Sequence, residues 1–387
     1  MAKIDSLFKI MFQQGASDLH MSSGSPPYLR VNGEMTQLQM APLSNEDSQA
    51  MIFEICSEKQ KRNFAETWEL DFSYTLEGVA RFRCNIFMQR KGMGAVFRII
   101  PDKIKTCEDL GLPQEIVDLV KIPKGLICVT GPTGSGKSTT LAALIDYINT
   151  NEQAHILTIE DPIEFVHQNK KSLINQREVN GHTKSFANAL KASLREDPDI
   201  ILVGEMRDLE TIQLAMTAAE TGHLVFGTLH TSSAPKTVDR IIDVFPESKQ
   251  AQVRVMLSES LRGVIAQTLF KKEGGGRVAA FEVMYNNKAI ANLIREGKTF
   301  QIPSTMQITR GQGNITAESY IEELIQKGLI KKEVGYEYLG KDLGPKTEGA
   351  RPTPPGGQPP GGMQPRDPMS QTQSGLGGLA SRLKKSG

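Results

Sequence analysis

From residue 125 onward, short unbroken apolar runs alternate with longer amphipathic stretches. Leu126–Thr130 is one such run, and it leads straight into a glycine-rich segment. The spacing predicts a helix over 137–149, a strand over 155–159, a helix over 185–196 and a strand over 200–203. A helix over 209–221 and a strand over 224–228 continue the series. Strands that alternate with helices imply a mostly parallel sheet covered on both faces, hence an α/β fold. The stretch from Glu247 to Phe270 reads as strongly helical, with more helices to about residue 330.

The first 110 residues carry a different pattern. Residues 43–66 read as helical, with Ser44 a fitting N-cap. Residues 79–87 and 94–100 read as strands, joined by the turn-prone Arg90-Lys91-Gly92. This half is expected to be a small α+β domain covering 1–110. The proline-bearing segment after it (Pro101, Pro113, Pro123) reads as a linker with one short helix, placed at 111–124. The second domain is then expected over 125–343. Residues 344–378 are roughly half glycine and proline, too poor in apolar surface to offset chain entropy, so 344–387 is expected to be a disordered tail. Its end, with Leu376, Leu379 and Leu383 beside Arg382, Lys384 and Lys385, is either an untethered tail or a basic docking turn.

Composition narrows the classes. The 387 residues are 39% apolar and 23% charged, ordinary for a globular chain of two domains. A net charge of +1 speaks against a dedicated nucleic-acid binder such as a DNA-translocating ATPase. Cys56, Cys84, Cys107 and Cys128 are scattered, with no C-x-x-C pair, so buried free thiols are expected rather than a zinc or redox site. The N-terminus lacks the apolar core of a signal peptide, and no run reaches the ~18 apolar residues that span a bilayer. The expectation is a cytoplasmic protein with no direct membrane insertion, reaching a membrane only through partners.

The glycine-rich segment matches G-x-x-x-x-G-K-[ST] through Gly131, Gly136, Lys137 and Ser138. Its residues Gly131, Pro132, Thr133, Gly134, Ser135, Gly136, Lys137, Ser138 and Thr139 are the candidate ATP-binding loop. Glycines let successive N–H groups turn toward phosphates, and the helix that follows adds its positive end. Lys137 is expected to reach the β- and γ-phosphates and Ser138 to ligate Mg2+. Ile200–Val203 followed by Gly204-Glu205 is an apolar strand ending in a carboxylate, with glycine at the usual magnesium-ligating aspartate. Glu205 can orient and deprotonate the attacking water or hold magnesium through water.

Glu160, Asp161 and Glu164 follow another apolar strand and can surround magnesium and water, though such a cluster also reads as a solvated loop. His223 and His230 flank a third strand seven residues apart, an odd spacing that puts them on opposite faces and argues against one metal site. His230, at the carboxyl end, is the better candidate for sensing phosphate. Arg81 and Arg83 alternate with apolar residues, so both leave one strand face, with Arg98 on the next strand. In a ring, such a face can reach a neighbour's ATP.

Together, GPTGSGKST at 131–139, the acidic cluster at 158–164, ILVGEMRDLET at 201–211, GHLVFGTLHT at 222–231 and Gly15–His20 resemble the type II/IV secretion and pilus ATPase superfamily over about residues 3–330. Absence of that superfamily's four-cysteine zinc insertion, and Ala-Ile-Ala-Asn-Leu-Ile-Arg-Glu at 289–296, point to its pilus-retraction branch, with Ala291 replacing an arginine. The resemblance implies a PAS-like N-terminal domain, a RecA-like ATPase domain and a homohexamer with ATP at the domain junction. It implies an acidic box of Glu160, Asp161 and Glu164, a histidine box of His223 and His230, and Glu205 as catalytic glutamate. Glu164, Lys137 and His230 would join it in catalysis, Ser138, Glu160 and Glu205 would serve magnesium, and Arg83 and Arg98 would act in trans, with Arg81 a further candidate. Implied partners are an inner-membrane pilus platform protein and a paralogous retraction ATPase. An accessory retraction ATPase and a pilus assembly or type II secretion motor are the alternatives.

Overall fold

The structure, a computed structural model, describes residues 2–100 and 103–341. The N-terminal part opens with helix α1 (Ile4–Gln13) and a three-strand meander of β1 (Asp18–Ser22), β2 (Tyr28–Val31) and β3 (Glu34–Gln37). Helices α2 (Asn45–Phe53) and α3 (Glu58–Thr67) lead into β4 (Glu69–Leu76), β5 (Ala80–Gln89) and β6 (Gly92–Ile100). The sheet runs β3-β2-β1-β6-β5-β4, antiparallel throughout. Residues 43–66, expected as one helical stretch, form two helices. Ser44 caps α2 by accepting from the Asp47 N–H, and Ser57 starts α3 with a capping box through Gln60. One face of the sheet is apolar, and α1 closes it with Phe8, whose ring lies 4.2 Å from Phe82 and 5.0 Å from Phe97.

Helix α4 (Gln114–Leu119) precedes the second sheet, and its Ile116 and Leu119 are buried against that sheet's Ile127 and Val129. The chain then runs β7 (Gly125–Thr130), α5 (Lys137–Asn151), β8 (His155–Glu160), β9 (Leu173–Glu178) and α6 (Phe186–Ser193). It continues with β10 (Ile200–Val203), α7 (Leu209–Glu220), β11 (Leu224–Leu229), α8 (Ala234–Asp243) and α9 (Glu247–Ser260). A hairpin of β12 (Leu261–Lys271) and β13 (Arg277–Tyr285) is followed by α10 (Lys288–Glu296), α11 (Ile302–Ile308), α12 (Ala317–Gln326) and α13 (Lys332–Leu339). Strand order is β13-β12-β7-β11-β10-β8-β9, parallel except for β13.

The unbroken apolar runs follow from burial on both faces. Successive residues alternate between two cores. Leu126, Cys128, Ile201, Val203 and Val225 point to α6–α11, while Ile127, Val129, Ile200, Leu202 and Phe226 point to α4 and α5. All four cysteines are buried and unpaired.

The expected helix over 247–270 stops at Ser260, and the helices expected beyond it are interrupted by β13. Leu261–Phe270 is an apolar run whose periodicity suits either element. A slot beside β7 decides the outcome, because Gly263 lets the strand approach α4 so closely that a Cβ there would lie 2.8 Å from a Leu119 methyl. Three consecutive positive-φ glycines, Gly274, Gly275 and Gly276, turn the chain back into β13. Among the described residues, no helix is long and apolar enough to cross a membrane. The tail and its basic end lie outside the described residues.

Phe8→Ala is expected to destabilise the N-terminal part by ~3–5 kcal/mol, because it empties a fully enclosed aromatic site. Urea unfolding checks this, and a loss below ~1 kcal/mol would contradict the packing assigned to α1.

Candidate active site

Parallel strands end on one edge of the sheet, and the chemistry collects there. Four neighbouring strands, β7, β11, β10 and β8, contribute the segments that follow them: 131–136, 230–233, 204–208 and 161–164. Sequence-distant polar residues thus share one surface although the strands themselves are apolar.

The glycine loop leaves β7 and turns into α5 with Gly136 at the N-cap, φ +91°. At Gly131, φ +144°, an added Cβ would lie 2.3 Å from the Gln267 carbonyl oxygen and 2.6 Å from Ser135 Oγ, so the backbone can pass only as glycine. Lys137 folds over the loop, its Nζ donating to the carbonyls of Gly131 (2.8 Å) and Pro132 (3.2 Å). Burial pushes its ammonium below the ordinary lysine value, while Glu205 and Glu164 pull it back up. Ser135 Oγ is buried with no hydrogen-bond partner, a free donor inside the curl of the loop.

The loop is held from behind by a residue that sequence reasoning missed. Gln267 of β12 is 3% exposed. Its Nε2 donates to the Ser135 carbonyl (2.7 Å), and its Oε1 accepts from Thr140 Oγ1 (2.8 Å). One amide therefore ties the loop to the first turn of α5. A strand reading of 261–271 would have exposed it, since a glutamine in a buried strand needs partners on the neighbouring backbone.

Glu205 follows β10. Its Oε1 accepts from His230 Nε2 at 2.9 Å and pairs with the Arg207 guanidinium. Partial burial raises its carboxyl, but Arg207 and then His230 outweigh that and hold it below the usual glutamate value. Thr133, Arg207, His230 and Arg240 line the same cavity. At Gly204 an added Cβ would sit 3.0 Å from the Ile159 carbonyl oxygen and 3.2 Å from Glu160 Cα. A carboxylate side chain has little room there, and it moves one residue on.

Glu160 is held differently. Its Oε1 accepts from Thr158 Oγ1 (2.7 Å) and Gln176 Nε2 (3.1 Å), and its Oε2 from the Glu164 N–H (3.4 Å). Burial nevertheless raises its carboxyl above the usual value. Ser138, Thr158, Glu160 and Thr228 line one small cavity with His167, whose imidazole burial lowers to about 4. Among the described residues, no three His, Cys, Asp or Glu side chains form a cage for a metal. Hydroxyls with one carboxylate nevertheless suit magnesium, which keeps waters and uses substrate phosphates as ligands.

The remaining candidates are dispersed. His223 sits at the opposite end of β11 from His230, its Nδ1 2.9 Å from the Ala218 carbonyl of α7. Arg98, 67% exposed, pairs with the buried Asp18 at 2.7 Å. Arg83 pairs with Asp71 at 2.9 Å, and that hydrogen bond, despite partial burial, raises its guanidinium further, helped by Asp71, Glu164 and Asp161 of its own chain.

A glycine loop between a buried parallel strand and a helix, with a carboxylate held at the end of a neighbouring strand, defines a P-loop ATPase. The family model "Type II/IV secretion system protein" matches residues 4–275, and the chain belongs to that family. It is 57% identical over 330 residues to the Type IV pilus retractation ATPase PilT of Pseudomonas aeruginosa, covering 85% of this chain and 96% of that protein. It is 40% identical over 332 residues to the Type IV pilus ATPase PilU of the same organism, covering 86% and 87%. The crystal structure of the pilus retraction motor PilT with bound ADP superposes with a TM-score of 0.81 at 49% identity, over 87% of this chain and 96% of that one.

Gln267→Leu should leave the Ser135 carbonyl and Thr140 hydroxyl without their partner and weaken ADP binding about tenfold, or ~1.4 kcal/mol. Titration with a fluorescent ADP checks this; unchanged affinity would contradict the pinning of the loop.

Proposed function

We propose that this chain is a homohexameric ATPase motor that powers type IV pilus retraction, dismantling the pilus and driving twitching motility. The identity to PilT across nearly that protein's whole length carries the retraction assignment. The edge site supports the chemistry. Loop N–H groups and Lys137 would bind the β- and γ-phosphates, with the positive end of α5 behind them. Glu205, held ionised by Arg207 and His230, would orient the attacking water and take its proton. Ser138 and Glu160, together with Glu205, would hold Mg2+, which would supply charge neutralisation on the phosphates. Glu164 faces Lys137 and would help keep the ammonium charged.

The chain would work at the cytoplasmic side of the inner membrane, against the pilus platform protein and beside a paralogous retraction ATPase. Subunits would share the site, with Arg83 and Arg98 of one reaching the nucleotide of the next, so that turnover rotates each N-terminal sheet against a neighbouring ATPase domain. Ala291, which replaces an arginine of the retraction-branch motif, favours as a second reading an accessory retraction ATPase of the PilU kind.

A clean deletion strain should be hyperpiliated and unable to twitch, with wild type restoring motility and Lys137→Ala failing to do so. Loss of pili on deletion would select an assembly motor instead. Unchanged twitching would select the accessory reading.

A further inference from the structure

The polar face of the N-terminal sheet is docked on the acidic loop of its own chain, through a largely enclosed ion pair. Arg81 and Glu178 meet at 2.9 Å, with their side chains only 15% and 12% exposed. Arg81 leaves β5 on the face opposite Phe82 and Cys84, which belong to the sheet's apolar core. Glu178 is the last residue of β9, the strand paired with β8, and lies opposite Glu160 in the register. The same carboxylate accepts from the Ile163 N–H at 3.1 Å, inside the acidic loop between Asp161 and Glu164. Ser73 of β4 completes the cluster, accepting from the Arg81 guanidinium (2.6 Å) and donating to Glu178 (3.2 Å).

An ion pair largely shielded from water is costly to break from one side, because the partner is left charged and poorly solvated. Here the carboxylate also holds a backbone N–H of the loop that follows β8. Any rotation that draws β5 away from β9 must therefore either carry Glu178 along or release it, and both disturb residues 161–164. Arg83, two residues on along the same face, pairs with Asp71 and feels the charges of Glu164 and Asp161.

We infer that Arg81 is a positioning residue acting in cis: its clasp on Glu178 couples the orientation of the N-terminal sheet to the end of β8 and the acidic loop after it, which carry Glu160 and Glu164. The inference rests on the hydrolytic reading of that loop. It assigns Arg81 a role distinct from that of an arginine offered to a neighbour's nucleotide. The clasp is closed in the arrangement described here, and its opening would slow turnover without removing the glycine loop's grip on nucleotide.

A double-mutant cycle on full-length protein tests this. Arg81→Gln and Glu178→Gln, the latter keeping an acceptor for the Ile163 N–H, should each lower kcat for ATP about tenfold with KM within about threefold. The double variant should be no worse than either single, because both remove one interaction. Arg81→Lys, which can still meet Glu178, should recover much of kcat. Additive losses, or a loss with Arg81→Gln beside normal turnover in Glu178→Gln, would overturn the clasp and favour action in trans. A second readout is the distance between spin labels at Glu34→Cys and Gln213→Cys, both exposed, measured in labelled subunits diluted with unlabelled ones. The distribution should broaden with Arg81→Gln, and an unchanged one overturns the clasp. If wild-type protein hydrolyses no ATP, the hydrolytic reading falls, and the label distances alone decide whether the clasp exists.

Discussion

Burial of four parallel strands on both faces is the constraint from which the site follows. A strand whose alternate residues enter two different cores has no position left for a charged side chain. Polar chemistry is therefore expelled to the strand ends, and parallel geometry puts those ends on one edge. The glycine loop, the acidic loop, Glu205 and His230 converge because β7, β8, β10 and β11 are neighbours, although up to 99 residues separate Gly131 from His230. The same crowding sets details within the site. Gly204 is hemmed in by the backbone of β8, so the carboxylate falls on Glu205, where His230 and Arg207 can reach it.

Two carboxylates at this edge are driven in opposite directions. Glu160, deep and surrounded by neutral donors, is raised by burial; Glu205, shallower and beside two basic groups, is lowered. Such divergence separates roles. A carboxylate that burial disfavours as an anion gains most from a cation placed beside it. One already compensated by Arg207 would stay ionised, as the proposed water-orienting role requires. Glu164, bonded through its backbone to Glu160 and facing Lys137, links the two halves of the site.

Much of this was legible in the sequence, for definite reasons. Leu126–Thr130, Ile200–Val203 and Leu224–Leu229 are short, apolar and bounded by glycine or polar residues, so only strands fit them, and the motif residues at their ends were placed by the same reasoning. The hairpin at 261–285 was not legible. Its first strand has no alternation, and what makes it a strand is the vacant side of β7 and the close approach that Gly263 allows. Gln267 was missed with it. The cis pairing of Arg81 with Glu178 also lay beyond pattern reading, since 97 residues separate the partners and no local spacing relates them. His223, grouped with His230 only by the family resemblance, sits at the other end of β11 with its ring 2.9 Å from the Ala218 carbonyl of α7.

The central claim is that the edge site hydrolyses ATP with Glu205 as the group that prepares the water. The most direct test is Glu205→Gln, nearly isosteric, measured for ATP affinity and steady-state turnover in the same preparation. The account predicts affinity within about threefold of wild type and turnover reduced at least a hundredfold, the scale on which a lost general base acts. Turnover within about threefold of wild type would contradict it and move the proton-accepting role elsewhere on the edge.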